Sequence, residues 1–429
     1  MIWLYRVLFP PAMLLASPYY LMRMRRRGGY RTGFSQRFGA TKIPSKRAGV
    51  KRVWLQAVSV GEMLAIAPLL EALKADPSVE VYLTTTTSTG YALARERYAG
   101  LVSGLGYFPL DWWLFSGRAW RCIAPDLVII TEGERWPEHI HQAELRGVPV
   151  LAVNARLSDR SFRRMMRIRG LAGSLLRGIT HVLAGSDMDA RRFRELGFSA
   201  GKITITGNIK LDVTIPLISE AEKTMLRREL GFGDEPVLLG SSTWPGEEAA
   251  LIEVFKAIRG GGGAARLLLV PRHAERRAEV EVLLKASGLS YHFRSRGLAT
   301  TPVDVAVGDT TGELRRLTQL ATVVFVGKSL PPHHEGQTPV EAAALGKPVV
   351  FGPALSNFKV IARELCKTGA TRSVADAEGL KIAIQELWAD STARECMAAA
   401  AQAWHRANQG AVGRTLAVIR EELRSGGVR

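Results

Sequence analysis

Carboxylates, hydroxyls and cations gather in this chain where short apolar runs stop. At QAVSVGE, residues 56–62, the run VWLQAV passes into Ser59, Val60, Gly61 and Glu62 and then into the helical pattern MLAIAPLLEALKAD. Ser59 or Gly61 can supply the turn, and Glu62 falls in the first helical turn, where the helix dipole favours its anion. That position suits a capping carboxylate. TTTTSTG at 84–90 offers hydroxyls, Thr86 among them, and backbone donors for an anion or a sugar. TEGERWP at 131–137 is expected to set Glu132 and Glu134 on one side of an extended segment, because side chains repeat every second residue. Two like charges so close need a substrate, a base or Arg135 to share them. PRH at 271–273 ends another apolar run with the guanidinium of Arg272 and the imidazole of His273 at a helix start. Such a pair suits phosphate, or serves as a surface cation beside a capping His. DTTGEL at 309–314 puts Gly312 where a backbone can approach a phosphate, and GQTPVEAAALGKPVVFGP at 336–353 carries Glu341 on a helix between a glycine turn and a buried strand. No metal constellation stands out: His333 and His334 are adjacent, and there is no HExxH, suitably flanked DxD, GxSxG or Walker loop.

The elements that must position these groups alternate. VWLQAV, VEVYLTTT, DLVIITEG, VPVLAVNAR, THVLAGS and KITITGN read as strands, separated by helical patterns such as SFRRMMRIRGLAGSLLR and DMDARRFREL. PVLLGSST, RLLLVPR, VVFVGKS and KPVVFGP repeat the style further on. Alternation of this kind predicts α/β architecture, parallel sheets with helices on both faces. The Pro-containing link LDVTIPLISEAEK marks a boundary near residue 213. The expected organisation is an apolar segment and basic flank over 1–51, one α/β domain over 52–213 and a second over 214–429, whose last helices can pack back on the first. Ligands of such sheets bind beyond the carboxyl ends of the strands, which is where nearly every polar cluster falls.

With 429 residues, the chain exceeds one ordinary core. Its three cysteines, Cys122, Cys366 and Cys396, form no CxxC pair and suggest neither a disulfide framework nor a zinc site. The net charge of +18 is uneven, since residues 1–52 hold twelve Lys or Arg and no Asp or Glu. MIWLYRVLFPPAMLLASPYYLM is apolar with only Arg6 charged, and RMRRR follows it. Pro10, Pro11 and Pro18 interrupt the run, so a monotopic or interfacial anchor on an anionic membrane surface is expected rather than a span. Nucleic acid is not expected as a partner, because the basic block lacks interleaved aromatics.

Eight stretches in order carry a resemblance: SVGE at 59–62, YFPLD at 107–111, ExExWP at 132–137, NARLSDRS at 154–161, GNIKLD at 207–212, SSTWPGEE at 241–248, PRHAER at 271–276 and GEL at 312–314. Together they resemble the 3-deoxy-D-manno-octulosonic acid (Kdo) transferases, which attach Kdo to the lipid A precursor. The resemblance implies a GT-B fold, with two Rossmann-like domains facing across a cleft, the C-terminal one holding CMP-Kdo and the N-terminal one the lipid acceptor. It implies inverting transfer with no metal or other cofactor, on the cytoplasmic face of a bacterial inner membrane. By the resemblance Glu62 is the general base and Glu132 shares the catalytic centre. Donor contacts fall to Lys210, Arg272, His273, Gly312, Glu313, Thr338 and Glu341, with Arg272 and the amides near Gly312 at the phosphate, Lys210 at the Kdo carboxylate or the phosphate, and Glu341 at the ribose. Ser59, Gly61, Thr86, Glu134 and Arg156 line the acceptor side. The chain departs from the family pattern at EGERWP for ETELWP, at Trp244 for a His, and at EGQTPVEA for GGHNPLEP, where Thr338 replaces an Asn beside the nucleotide. Two other readings compete: a GT-B enzyme using a UDP-sugar with a lipid acceptor, and a non-catalytic membrane-bound binder of nucleotide or lipid.

Overall fold

Runs that are apolar at nearly every position become strands covered on both faces, and they do so twice. A computed structural model describes residues 1–26, 33–41, 43–353 and 355–425, without the side chains of residues 23–26 and 357. The basic flank RMRRR therefore lies outside the described residues at Arg27 and in the side chains of its other members. The first sheet contains β1 (Lys51–Gln56), β2 (Val79–Thr85), β3 (Gly104–Tyr107), β4 (Leu127–Thr131), β5 (Val150–Ala155), β6 (His181–Ala184) and β7 (Ile203–Ile205), in the order β3-β2-β1-β4-β5-β6-β7. The second contains β8 (Val237–Thr243), β9 (Arg266–Pro271), β10 (Tyr291–Phe293), β11 (Val305–Val307), β12 (Val323–Val326), β13 (Val349–Phe351) and β14 (Thr371–Ser373), in the order β10-β11-β9-β8-β12-β13-β14. Neighbouring strands run parallel in both sheets. Helices return the chain between strands, as parallel pairing requires. The order reverses at β1 and at β8, and such switch points open a crevice at the strands' carboxyl ends.

Alternation sorts each strand's side chains between two helical layers. In the first sheet Val53, Leu55, Leu83, Ile129 and Leu151 pack on one face, and Trp54, Tyr82, Val128, Ile130 and Ala152 on the other. In the second, Leu238, Leu267, Leu269 and Phe325 oppose Val237, Leu239, Leu268 and Val324. The chain divides into one unit of Met1–Asp212 with Gly410–Arg429 and another of Val213–Gln409. The helix Ala411–Ser425 places Leu416 and Ile419 in the first unit's core.

Four edge or near-edge strands, β3, β10, β11 and β14, carry no expectation from the sequence. MLAIAPLLEALKAD forms not one helix but two, α2 (Val60–Ala65) and α3 (Ala67–Lys74). Pro68 in the first turn of α3 has no amide to continue α2. SFRRMMRIRGLAGSLLR likewise breaks at Ile168 into helices Asp159–Arg167 and Arg169–Leu175.

The N-terminal run is a single helix, α1 (Ile2–Arg26), and its prolines do not interrupt it. Pro10 cannot donate to the Arg6 carbonyl, and the indole Nε1 of Trp112 donates there instead at 3.0 Å. Pro18 leaves the Leu14 carbonyl, which accepts from Ser17 Oγ at 2.8 Å. Trp3, Val7, Leu14 and Leu15 remain exposed, Leu15 at 85%. No described helix is long and apolar enough to cross a membrane.

Candidate active site

In the first unit the polar groups converge beyond β1, β2, β4 and β5. The loop after β1 is held by three threonine hydroxyls, Thr85, Thr86 and Thr87, all donating to the Val58 carbonyl at 3.1, 3.4 and 3.1 Å. Ser59 caps α2 by accepting from the Glu62 amide at 3.3 Å. The Glu62 side chain, buried to 8% exposure, then folds back. Its Oε1 accepts from Ser59 Oγ at 3.0 Å, and its Oε2 accepts from the Val58 amide at 2.9 Å and from Thr131 Oγ1 at 2.6 Å. A carboxylate offers about four acceptor positions, so three bonds fix this one and leave capacity for one more.

The two acids after β4 are not on one side of an extended segment. Glu132 is left-handed at φ 53, and the Glu134 amide closes a turn onto the Thr131 carbonyl at 3.2 Å. A turn breaks the alternation on which the expectation rests. Glu132 is ion-paired with Lys210. Burial first, and then the charge of Glu62, push Glu134 up to about 7. Burial holds neighbouring Arg135 below its ordinary value. At β5, Asn154 is also left-handed at φ 53; its Oδ1 accepts from the Ile209 amide at 3.2 Å, while its Nδ2 is buried with no partner among the described residues. Arg156 follows, half-buried, and its guanidinium makes no hydrogen bond or ion pair among the described residues.

The second unit repeats the topology with other chemistry. The helix Glu247–Gly260 follows β8, and Glu247 accepts from the amides of Trp244, Lys328, Ser329 and Leu330 at 2.9, 2.8, 2.8 and 3.1 Å. Burial raises its pKa while the four amides oppose the rise. Gly327 is obligatory at this crossing, since a Cβ there would lie 2.7 Å from Thr243 Cα and 2.8 Å from Glu247 Oε2. Lys328, left-handed at φ 58, lays its ammonium 4.2 Å from the Trp244 ring centre, and His273 meets that ring edge-on at 5.4 Å. Arg272 at the end of β9 is exposed, and its guanidinium has no partner among the described residues. Gly312, at φ 90, has nothing within 4 Å of where a Cβ would stand. Glu313 is held by Arg294 at 2.7 and 2.8 Å, and Glu341 by Arg315 at 2.8 Å. Thr338 Oγ1 accepts from the Val340 amide at 3.3 Å. Among the described residues no group of three or more potential ligands could hold a metal ion.

A family model described as 3-deoxy-D-manno-octulosonic-acid transferase matches residues 32–213. A 3-deoxy-D-manno-octulosonic acid transferase of Bordetella pertussis is 35% identical, over 94% of this chain and 94% of its own length. The chain belongs to the Kdo transferase family. The transferase of Haemophilus influenzae is 31% identical over 95% of this chain and 93% of its own. A crystal structure of the Anabaena protein HepE with UDP, 18% identical, covers 88% of this chain and 100% of its own with a TM-score of 0.54, a likeness of fold alone. As a Kdo transferase the chain is a glycosyltransferase with two α/β units.

Against that family frame, the structure brings Ser59, Glu62, Thr86, Glu132, Glu134 and Lys210 into the carboxyl-end region of the first sheet, with Gly61 in the first turn of α2. Lys210 belongs to the first unit, where it is paired with Glu132. Arg272 and His273 lie together at the end of β9, whereas Glu313 and Glu341 each face an arginine of their own. Thr131, Asn154, Glu247 and Lys328 carry no expectation from the sequence. Glu247 had a signal, since it repeats in the second unit the strand-to-helix placement of Glu62.

Proposed function

We propose that this Kdo transferase moves Kdo from CMP-Kdo to the sugar hydroxyl of a lipid A precursor, by inverting transfer at an anionic membrane surface on the cytoplasmic side. In this reading the acceptor oxygen bonds to the Kdo anomeric carbon. The bond from that carbon to the CMP phosphate oxygen breaks, its electron pair leaving on the phosphate, and the acceptor's proton passes to Glu62. The observation that carries the reading is the Glu62 carboxylate, immobilised through Val58, Ser59 and Thr131 with one acceptor position left over. Glu134, titrating near 7, donates a hydrogen bond from its protonated form to the acceptor sugar without adding a second negative charge. Lys210 neutralises Glu132, which keeps the cluster from repelling the phosphates of the acceptor.

On the donor side Arg272, unpartnered among the described residues, stabilises the charge that develops on the leaving phosphate. Glu341 turns from Arg315 to the ribose. The exposed apolar side of α1 rests in the lipid interface. Incubation of the full chain with CMP-Kdo and tetra-acylated lipid A precursor tests this, with products weighed by mass spectrometry. Addition of one or more Kdo masses, absent when a UDP-sugar replaces CMP-Kdo, is the expected result. Transfer from the UDP-sugar, or none at all, overturns the reading.

A further inference from the structure

We infer that Arg6 and Tyr5 are positioning residues of the acidic loop 132–136, so that α1 is part of the reaction's scaffold as well as a surface-seeking helix. The inference rests on the assignment of that loop to the proton-transfer site. The loop has two ends. One is Thr131, bonded to Glu62. The other is the first turn of the helix Pro137–Arg146, which starts directly after Trp136. Whatever fixes that turn fixes the reach of Glu132 and Glu134.

Three groups fix it, and two of them come from α1. Asp111, 1% exposed, accepts from the first-turn amides of Glu138 and His139 at 3.3 and 2.9 Å. Those are donors that a helix start leaves unpaired. Tyr5 donates its hydroxyl to the same carboxylate at 2.6 Å. Arg6 closes a two-pronged pair on Glu138, Nε to Oε2 and Nη2 to Oε1, both at 2.8 Å. The Glu138 side chain is wholly buried, and it also accepts from Gln142 Nε2 at 2.7 Å. Trp112, next to Asp111, holds the backbone of Arg6 itself.

The lone charge in an apolar run, placed six residues from the chain start, thereby has a partner. Lipid contact alone needs no guanidinium there. A buried carboxylate that loses its cation is costly to keep in place. Glu138 then rotates toward water or takes up a proton, and the turn that carries it relaxes. Displacement of about 1 Å at a reacting group is enough to lower turnover on the order of a hundredfold.

The test compares full-length wild type with Arg6→Met, Arg6→Lys and Tyr5→Phe, below their melting temperatures. Amide exchange over 132–139, binding to vesicles containing anionic lipid, and transfer kinetics with CMP-Kdo are read on each. Arg6→Met is expected to speed exchange in this segment about tenfold or more and to lower kcat by about ten- to a hundredfold. Donor KM and vesicle binding should stay within about twofold, because the residue touches neither ligand nor lipid in this account. Arg6→Lys should recover part of both losses. Tyr5→Phe removes one O–H and should show the same pattern more weakly, which keeps the inference exposed if Arg6→Met does not fold. A folded variant with unchanged exchange, or with faster exchange and unchanged kcat, overturns it. Wild type that fails to transfer Kdo would instead refute the proposed function, and the exchange comparison would still report on the latch.

Discussion

Glu62 follows β1 and Glu247 follows β8, so each unit carries a glutamate in the first turn of the helix entered from its central strand. Each carboxylate also reaches the end of the neighbouring strand, β4 through Thr131 and the loop after β12 through Lys328 to Leu330. The partners differ in kind. Glu247 meets four backbone amides, which cannot turn away and which fill the capacity of a carboxylate. Glu62 meets one amide and two hydroxyls, which can rotate as a proton arrives. The same fold position thus makes a structural clamp in one unit and a candidate base in the other. Hydrogen-bond partners, more than burial, separate the two roles.

One substitution made in both units tests this contrast most sharply. Glu62→Gln should lower turnover by about two to four orders of magnitude, because shape survives while the proton acceptor is lost. Its melting temperature should barely move, since Ser59 and Thr131 can reorient to an amide. A transfer rate near that of wild type would leave Glu62 with only the capping role. Glu247→Gln should do the reverse. An amide NH2 would face backbone donors, and the second unit should lose roughly 2–4 kcal/mol by denaturant titration. A fully stable Glu247→Gln protein would dissolve the distinction.

A smaller effect lies in the pH dependence of the first unit. Burial and Glu62 hold Glu134 at about 7 against an ordinary 4.5. Between those values the folded chain keeps a proton that the unfolded chain has released. The group's contribution is therefore best below about 4.5 and declines as pH rises through 7. Glu134→Gln should match wild type in stability near pH 4 and exceed it above pH 7 by about 1–2 kcal/mol. Equal stability at both would place Glu134 in water. Smallest is Lys328→Gly. It relieves a left-handed side-chain-bearing residue but removes the cation from Trp244, two effects of about 1 kcal/mol each with opposite sign. Thermal unfolding should shift little.

Long apolar runs made the βα alternation and the central strands readable, because period and length were both available in VWLQAV or DLVIITEG. Strands of mixed composition such as β10 (YHF) and β14 (TRS) show no apolar run, and each pairs along one side with a neighbouring strand of the sheet. Glu62, Glu132 and Glu134 were visible as residues, but not their mutual arrangement. The left-handed residue of the turn after β4 is Glu132 and not the adjacent Gly133, and what holds it is β5, whose Val153 carbonyl accepts from the Glu132 amide at 2.9 Å. In the sequence Arg6 is the one charge in an apolar run. Its partner lies 132 positions away, and no local pattern encodes so distant a contact. The resemblance puts Lys210 at an anionic ligand, and its ion pair with Glu132, a residue of a different motif, is a contact that neither motif encodes.

Asp212 accepts from the amides of Gly410 and Val412 at 3.0 and 2.7 Å, and so caps the last helix from almost two hundred residues upstream. The chain leaves the first unit and re-enters it at one carboxylate. During synthesis, Val213–Gln409 can complete its sheet before that final helix has been made. The earlier unit must wait with Leu69, Leu70 and Leu73 short of their neighbours Leu416 and Ile419. The part translated second is then the first able to finish folding, and a chain cut short near its end would leave the acid-bearing half incomplete while sparing the other.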